Sequence, residues 1–162
     1  MKHKIMLCLL APLALSMPAL AQDREPPKRI STELAQEASE AAIAHCEAQG
    51  LTVGAGVVDA AGNPIFLTVP EGARFFVGDF VMRKGLTMSI TGQNASATQG
   101  LIDNDPAMKE KVEANARWIH YGGGVVLKRG GEMVGALAVS GATAEQDEVC
   151  AQAGLDKIAG RF

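Results

Sequence analysis

One short stretch places a histidine between two aromatic side chains and in front of a glycine run. His120 follows Trp118 and precedes Tyr121, and residues 122–124 are all glycine. An imidazole in such a setting can face a cofactor, and glycines leave an opening that admits a flat ligand. A purely structural role is the alternative for His120, because a lone histidine is often structural. The glycines can equally mark a close approach of backbone at the start of a strand.

A second group of candidates follows helical spacing in the middle of the chain. Arg83 and Lys84, with Thr87 one turn later, lie on the same side as Phe76 and Phe80. Long cationic side chains usually extend over a helix surface and keep their charge in water. The alternative interpretation is that both cations neutralise carboxylates on an otherwise apolar ligand.

Ser140 and Asp147 are two further residues that could do chemistry. A serine nucleophile of the G-x-S-x-G type needs flanking glycines, whereas Ser140 has Ala138 and Ala142 at those positions. Ser140 is therefore interpreted as a small residue at a tight turn. Asp147 falls on the buried face of the last predicted helix, in its first turn, where the helix dipole favours a carboxylate. This favours a structural role for Asp147 over a functional one.

The elements that position these residues follow from hydrophobic periodicity and from helix and turn signals. The pattern predicts a helix from Ser31 or Thr32 to Gly50, a β-hairpin over 51–70, a helix over 72–92, a polar loop over 93–105, a short helix from Pro106 to Arg117, two strands around the turn at 128–131, and a helix from Ala142 to Ala159. Four or five strands with hairpin connections and intervening helices predict an antiparallel α/β sandwich.

The helix predicted around Ala73 to Ile90 is apolar on nearly every side. Phe75, Phe80 and Met88 point in different directions around it. One side can pack on the sheet, but a small domain with one sheet offers no second layer for the other side. We therefore expect this helix to lie in an interface between copies of the chain, as part of a homo-oligomer.

The first 21 residues have the features of a secretory signal peptide. Lys2 and Lys4 precede an apolar run that is too short for a membrane span and ends in small residues. We expect cleavage after Ala21, a flexible leader over 22–30, a single domain over 31–162, no membrane span after cleavage, and a periplasmic or secreted location. Without the two lysines the formal net charge of −3 becomes −5, which does not favour nucleic-acid binding.

Export also limits the cysteines and histidines that remain. Cys46 and Cys150 stay in the mature chain, one on the buried face of each terminal helix, in a compartment where disulfides persist. They are predicted to form a disulfide. Only His45 and His120 remain as histidines, and His45 is predicted to face the core. The spacing of cysteines and histidines does not indicate a zinc site.

Several segments taken together resemble the GlcG/HbpS family of heme-binding proteins. They are "VVDAAGNPI", "EGARFF", "RKGLT" and, most specifically, "GGGVVLKRGGEMVGALAVSGATAEQDEVCAQAGL". The resemblance spans about residues 32–158. It implies a profilin-like α/β domain with an antiparallel five-stranded sheet, packed with N-terminal, central and C-terminal helices. It also implies oligomers and heme or a related tetrapyrrole as the ligand.

The resemblance transfers no axial ligand, so the predicted heme site combines it with the residues above. His120 is the expected iron ligand, with Thr87 or Met88 as the next candidates. Phe76 and Phe80 would form an apolar wall, and Arg83 or Lys84 would lie near the propionates. The leading hypothesis is an exported heme carrier or sensor accessory. The alternative is an enzyme that degrades heme or acts on a small hydroxyacid metabolite.

Overall fold

The computed structural model describes residues 29–162. They form α1 (Thr32–Glu47), β1 (Gly54–Asp59), β2 (Pro64–Thr68), α2 (Val77–Thr91), α3 (Ala95–Asp103), α4 (Pro106–Glu113), β3 (Gly124–Arg129), β4 (Glu132–Ser140) and α5 (Ala144–Ile158). The predicted signal peptide and residues 22–28 of the predicted leader lie outside this part. Ile30, at the end of that leader, is fully buried in the core. None of the helices formed by residues 29–162 combines the length and hydropathy that a membrane crossing needs.

The four strands form one antiparallel sheet in the order β2-β1-β4-β3. Both predicted hairpins are confirmed, because β1 pairs with β2 and β3 pairs with β4. The two hairpins join through β1 and β4, which pair from Gly54 opposite Ser140 to Asp59 opposite Gly135. Asp59 also closes the first turn, since its carboxylate accepts from the backbone N–H groups of Ala61 and Asn63.

The five-stranded sheet implied by the family resemblance is not found within residues 29–162, where the sheet has four strands. Two backbone N–H groups shortly before β3 donate to side chains rather than to a neighbouring strand. The Ile119 N–H donates to Thr87 Oγ1, and the Gly122 N–H donates to Gln99 Oε1.

The sheet is covered on both faces, which gives three layers. Alternation along the strands sends one set of side chains towards α1 and α5, including Ala55, Val57, Leu137 and Val139. The other set, including Val58, Ala136 and Ala138, packs with α2. Every residue of β1 is buried, as expected for a central strand between two helical layers.

The central helix α2 begins later than the sequence pattern predicts. Phe76 adopts a left-handed backbone with φ of 65°, so the helix starts at Val77. Gly85 faces the sheet, where a Cβ would lie 3.0 Å from a methyl group of Val58. The absence of a side chain at this position lets α2 lie close against β1.

The expectation that no other part of the chain covers the outer side of α2 is wrong in part. The 93–105 segment, predicted to be a polar loop, contains α3, whose buried residues are Ala95, Thr98 and Ile102. Thr98 Oγ1 lies 2.7 Å from Thr91 Oγ1 of α2. Ile102 is the only large apolar side chain among these three residues, so the helical period is hard to see in the sequence. The next helix, α4, ends at Glu113 rather than at Arg117.

The terminal helices α1 and α5 lie side by side on one face of the sheet. Ser31 caps α1, and Thr143 forms a capping box with Gln146 at the start of α5, which fixes where both helices begin. The predicted disulfide between Cys46 and Cys150 is confirmed, with the two Cα atoms 5.7 Å apart. The bond therefore joins the two helices of this layer.

We expect the double variant Cys46→Ala/Cys150→Ala to have a lower free energy of unfolding than the wild type. The disulfide joins residues 104 positions apart, and closing a loop of that size lowers the entropy of the unfolded chain. The chain-entropy model sets an upper value of about 4.7 kcal/mol for this effect. Urea unfolding followed by circular dichroism measures the difference. Unchanged stability in the double variant would show that the disulfide contributes nothing to the fold.

Candidate functional site

The structure brings most of the predicted site residues to one end of α2. Phe80 and Arg83 line a groove of about 240 Å³ together with His120, which we call the outer groove. Phe80 and Lys84 line a second groove of about 310 Å³ with Asp147, which we call the inner groove. Phe80 and Tyr121 belong to both grooves and form the wall between them. The two grooves thus lie side by side on one surface.

The backbone that carries His120 is held in place by two side chains of α2. Thr87 Oγ1 accepts from the Ile119 N–H at 3.0 Å and donates to the Arg83 carbonyl at 2.9 Å. The Arg83 Nη2 donates to the Trp118 carbonyl at 2.7 Å. Thr87 and Arg83 therefore determine where His120 and Tyr121 lie relative to Phe80.

The guanidinium of Arg83 uses two of its five N–H donors in contacts with other described residues. Besides Trp118, it contacts Asp79 through Nη1 at 3.4 Å, and its Cζ lies 6.0 Å from the centre of the Phe80 ring. The Nε atom is buried and has no hydrogen-bond partner within residues 29–162. The predicted role of Arg83 towards a carboxylate on the ligand stays a prediction, and its contacts favour a positioning role.

His120 lines the outer groove with 19% of its side chain exposed. Its Nε2 lies 3.9 Å from Asp103 Oδ1, which is too long for a hydrogen bond. The ring centre lies 5.2 Å from that of Tyr121, so the predicted aromatic neighbourhood is present. The prediction that His45 faces the core is wrong, because His45 is exposed on α1, on the opposite side of the sheet from α2. The exclusion of His45 by burial therefore no longer holds.

Lys84 and Asp147 form a buried ion pair that the sequence did not predict. The Lys84 Nζ donates to Asp147 Oδ2 at 3.0 Å and to the Val139 carbonyl at 2.8 Å. Asp147 Oδ1 accepts from the Ala142 N–H at 3.0 Å. The two side chains are only 4% and 2% exposed, so the interpretation of Lys84 as a surface cation is wrong. Burial lowers the pKa of Lys84, and the Asp147 carboxylate opposes part of that effect.

The glycine run leaves the space that the side chains of this ion pair occupy. A Cβ on Gly123 would lie 2.6 Å from both Lys84 Nζ and Asp147 Cβ, and the φ of Gly123 is 113°. A Cβ on Gly124 would lie 2.5 Å from the terminal methyl of Met88. Close approach, one of the two interpretations of the run, is therefore what the structure shows. It allows α2 and α5, on opposite faces of the sheet, to meet at its end.

Phe76 lines neither groove and lies on the surface one turn before Phe80. It is 62% exposed, its neighbour Phe75 is 84% exposed, and their ring centres are 4.1 Å apart. A bulky residue in the left-handed region is strained, and such strain persists only where the surroundings hold it. The Phe76 carbonyl accepts from the Phe80 N–H at 3.0 Å, which links this turn to the first turn of α2. Within residues 29–162 no group of three or more His, Cys, Asp or Glu residues could hold a metal ion.

We expect Lys84→Met to lower the free energy of unfolding by about 3–5 kcal/mol, because it leaves the Asp147 carboxylate buried without its cation. The double variant Lys84→Met/Asp147→Leu removes both charges and should recover most of that loss. Urea unfolding of the wild type and both variants measures the two differences. A double variant as unstable as the single one would contradict this interpretation.

The ion pair between Lys84 and Asp147 also makes the free energy of unfolding depend on pH, in a direction that follows from the pKa of Lys84. Because the folded pKa of Lys84 lies below its ordinary value of 10.5, the unfolded chain binds more protons between the two values. The contribution of Lys84 to stability should therefore rise with pH across that alkaline window. Subtracting the free energy of unfolding of the double variant from that of the wild type isolates this contribution. A difference that falls as the pH rises would contradict the expected direction.

Comparison with known proteins identifies the family of this chain. A family model described as "Haem degrading protein HbpS-like" matches residues 30–156. A crystal structure of an HbpS double mutant from Streptomyces reticuli is similar, with a TM-score of 0.75 and 26% identity over 94% of this chain and 99% of that chain. No match was found among curated proteins.

Two further crystal structures share the fold at lower identity. ORFY from Klebsiella pneumoniae has a TM-score of 0.77 and 24% identity over 88% of this chain and 99% of that chain. A PduOC:heme complex has a TM-score of 0.73 and 21% identity over 81% of this chain and 96% of that chain. Together with the family match over 30–156, these likenesses extend across almost all of the described residues. The chain belongs to the HbpS-like family.

Proposed function

We propose that this protein is an exported binding protein for heme or a related tetrapyrrole, acting as a carrier or sensor accessory. The observation that carries the proposal is the exposed aromatic surface beside His120. Tyr121 is 53% exposed and lines the outer groove with Phe80 and His120, and Phe76, one turn before Phe80, is 62% exposed. Large exposed apolar side chains that lie close together are typical of binding surfaces. A family described by haem degradation and a relative crystallised with heme support a macrocycle as the ligand.

The residues at the outer groove fit a heme iron through His120. A neutral imidazole nitrogen is a good iron ligand, and no hydrogen bond to either ring nitrogen of His120 is found in the part of the chain that the structure describes. Thr87 is a poorer candidate, because its hydroxyl donates to Arg83 and accepts from Ile119. Met88 is only 1% exposed and packs under Gly124.

The propionates would need partners other than Lys84, whose ammonium is paired with Asp147 inside the protein. Arg83 is partly exposed, but its Nη atoms contact Asp79 and the Trp118 carbonyl. We therefore propose that Arg83 acts mainly by holding the backbone that presents His120. The propionates would then extend into solvent at the rim of the outer groove.

We expect His120→Ala to weaken hemin binding and to shift the Soret maximum, because the variant lacks the proposed iron ligand. The matched control is His45→Ala, which removes an exposed histidine on the opposite side of the sheet. Absorbance titration of each purified mature protein with hemin gives both affinity and spectrum. If His120→Ala matches the wild type in both respects, the iron ligand has been assigned to the wrong residue.

Arg83→Ala separates the two roles considered for Arg83. Loss of a propionate partner weakens binding but leaves the spectrum of the iron unchanged. Loss of the bond to the Trp118 carbonyl also displaces His120, so we expect weaker binding and an altered Soret band. A hemin titration in the same buffer distinguishes these results. Weaker binding with an unchanged spectrum would indicate that Arg83 binds the propionates instead.

An enzymatic role is the second candidate, supported by the family description, which names haem degradation. Under this alternative the protein consumes the bound heme, or it converts a small hydroxyacid at Arg83, Lys84 and Asp147. A time course of the Soret band with a reductant distinguishes the candidates. A stable band favours the carrier, and progressive loss that requires the folded protein favours degradation.

Export to the periplasm or the exterior is part of the proposal. The disulfide between Cys46 and Cys150 supports it, since such bonds persist in oxidising compartments and are rare in the cytosol. The sequence features of residues 1–21 support it independently. Mass spectrometry of the mature protein would test it through the position of the N-terminus.

We also propose that the chain forms a homo-oligomer through the exposed end of α2. Phe75 and Phe76, directly before the first turn of α2, are 84% and 62% exposed, so the rest of the described chain leaves these two large apolar side chains uncovered. A self-complementary patch of this kind suits a symmetric interface. Phe76 would then contribute to subunit contact as well as to the ligand surface.

We expect Phe76→Glu to dissociate the oligomer, because a buried unpaired carboxylate is unfavourable in an apolar interface. Val149→Glu is the matched control, since Val149 is 55% exposed on α5, in the other helical layer. Light scattering at micromolar concentration measures the mass. A monomeric wild type would refute the proposed interface.

A further inference from the structure

The inner groove carries buried polar side chains that the proposed heme site does not use. It lies where α2, α3, β4 and α5 meet, and its lining includes Lys84, Gln99, Ser140 and Asp147. Its volume of about 310 Å³ falls at the lower end of the range for small-molecule sites. The groove is therefore of a size for a ligand of a few heavy atoms.

Lys84 lines this groove, and one N–H group of its ammonium has no acceptor among residues 29–162. An ammonium has three N–H groups, and only Asp147 Oδ2 and the Val139 carbonyl accept from Nζ among residues 29–162. The side chain is 4% exposed, so water compensates little for the third N–H. A buried donor without an acceptor is costly, and one that lines a groove is a candidate contact for a ligand.

Two more donors in the same groove are unused. Gln99 accepts from the Gly122 N–H through Oε1, which leaves its Nε2 hydrogens without an acceptor in the described part of the chain. Ser140, at 8% exposure, makes no side-chain hydrogen bond with another described residue. Both groups can bind hydroxyl or carbonyl oxygens, while Phe80 supplies an apolar wall.

The surrounding charges select against an acid. Asp147 offsets the charge of Lys84, so the pair as a whole is neutral. The adjoining groove of about 380 Å³ shares Gln99 and Gly122 with the inner groove and carries Glu145 and Glu148. These carboxylates repel an anionic ligand. Free donors in a neutral-to-acidic setting favour a small, uncharged compound rich in oxygen.

We propose that the inner groove binds a small neutral hydroxyaldehyde or hydroxyketone and that Lys84 captures its carbonyl carbon as an imine. Ser140 and Gln99 would hold the hydroxyl oxygens of the compound, and Asp147 would move the protons. This inference does not depend on heme binding. It concerns the inner groove, whereas His120 lies in the outer one.

The proposed reaction needs no oxidant or reductant. Lys84 gives one proton to Asp147 Oδ2, which lies 3.0 Å away, and the freed lone pair forms a bond to the carbonyl carbon. The carbonyl π bond breaks, and a proton passes from nitrogen to oxygen to give a carbinolamine. Asp147 returns its proton to that hydroxyl, which leaves as water while the carbon–nitrogen double bond forms. The product is a protonated imine, and Asp147 is again a carboxylate.

Burial of Lys84 also assists this step. Because desolvation lowers its pKa, a larger fraction of Lys84 is present as the nucleophilic free amine than for an exposed lysine at the same pH. Lys128, which is exposed at the end of β3, provides the comparison within the same molecule.

The test is imine trapping on the heme-free wild-type protein. Glycolaldehyde and sodium cyanoborohydride are added near neutral pH, and the borohydride reduces any imine to a hydroxyethyl group on the lysine nitrogen. Peptide mass spectrometry then gives the labelling rate of each lysine. We expect Lys84 to be labelled severalfold faster than Lys128, because burial favours the free amine of Lys84 and the inner groove holds the aldehyde beside it.

The variant Ser140→Ala should slow labelling of Lys84 severalfold and leave Lys128 unchanged. Lys128 thus controls for reagent concentration and folding in every sample. Labelling of Lys128 with Lys84 unmodified in the wild type would overturn the proposal. Equal rates at the two lysines would overturn it as well. Neither result bears on hemin binding, so the two proposals fail separately.

Discussion

The buried ion pair between Lys84 and Asp147 is the constraint on which the arrangement of the site depends. It connects α2 to α5 around the end of the sheet, although these helices pack on opposite faces. Two charges with 4% and 2% exposure are tolerated only because Val139 and the Ala142 N–H complete their hydrogen bonds. A glycine at 123 is the condition for this geometry, because any Cβ there would collide with both partners.

The helix α2 also positions the residues of the proposed ligand surface. With α2 fixed at Lys84, the side chains of Arg83 and Thr87 hold the backbone at 118–119 by two hydrogen bonds. That backbone carries His120 and Tyr121 to the Phe80 side of the helix. One element thus separates the inner groove at Lys84 and Asp147 from the outer groove at His120. This division allows a large flat ligand and a small polar one to be recognised on neighbouring surfaces.

Sequence patterns predicted the parts of the fold that local chemistry determines. Both hairpins, the two terminal helices and the disulfide follow from turn residues and periodicity, and all are present. The helix α3 was missed because Ile102 is the only large apolar side chain among its buried residues. Lys84 was placed on the surface because its partner lies 63 residues away, and no local signal reveals such a pairing. The side on which His45 lies was also misjudged, since a small angular error moves a helical residue from core to surface.

The most direct test of the central claim is to map the ligand surface by amide chemical shifts. A diamagnetic metalloporphyrin, zinc protoporphyrin, is titrated into isotope-labelled mature protein, and ¹H–¹⁵N spectra are recorded at each step. We expect the largest shifts at Phe80 and across residues 118–122, with smaller ones near Phe76. Shifts confined to the outer faces of α1 and α5, around the exposed His45, would contradict it.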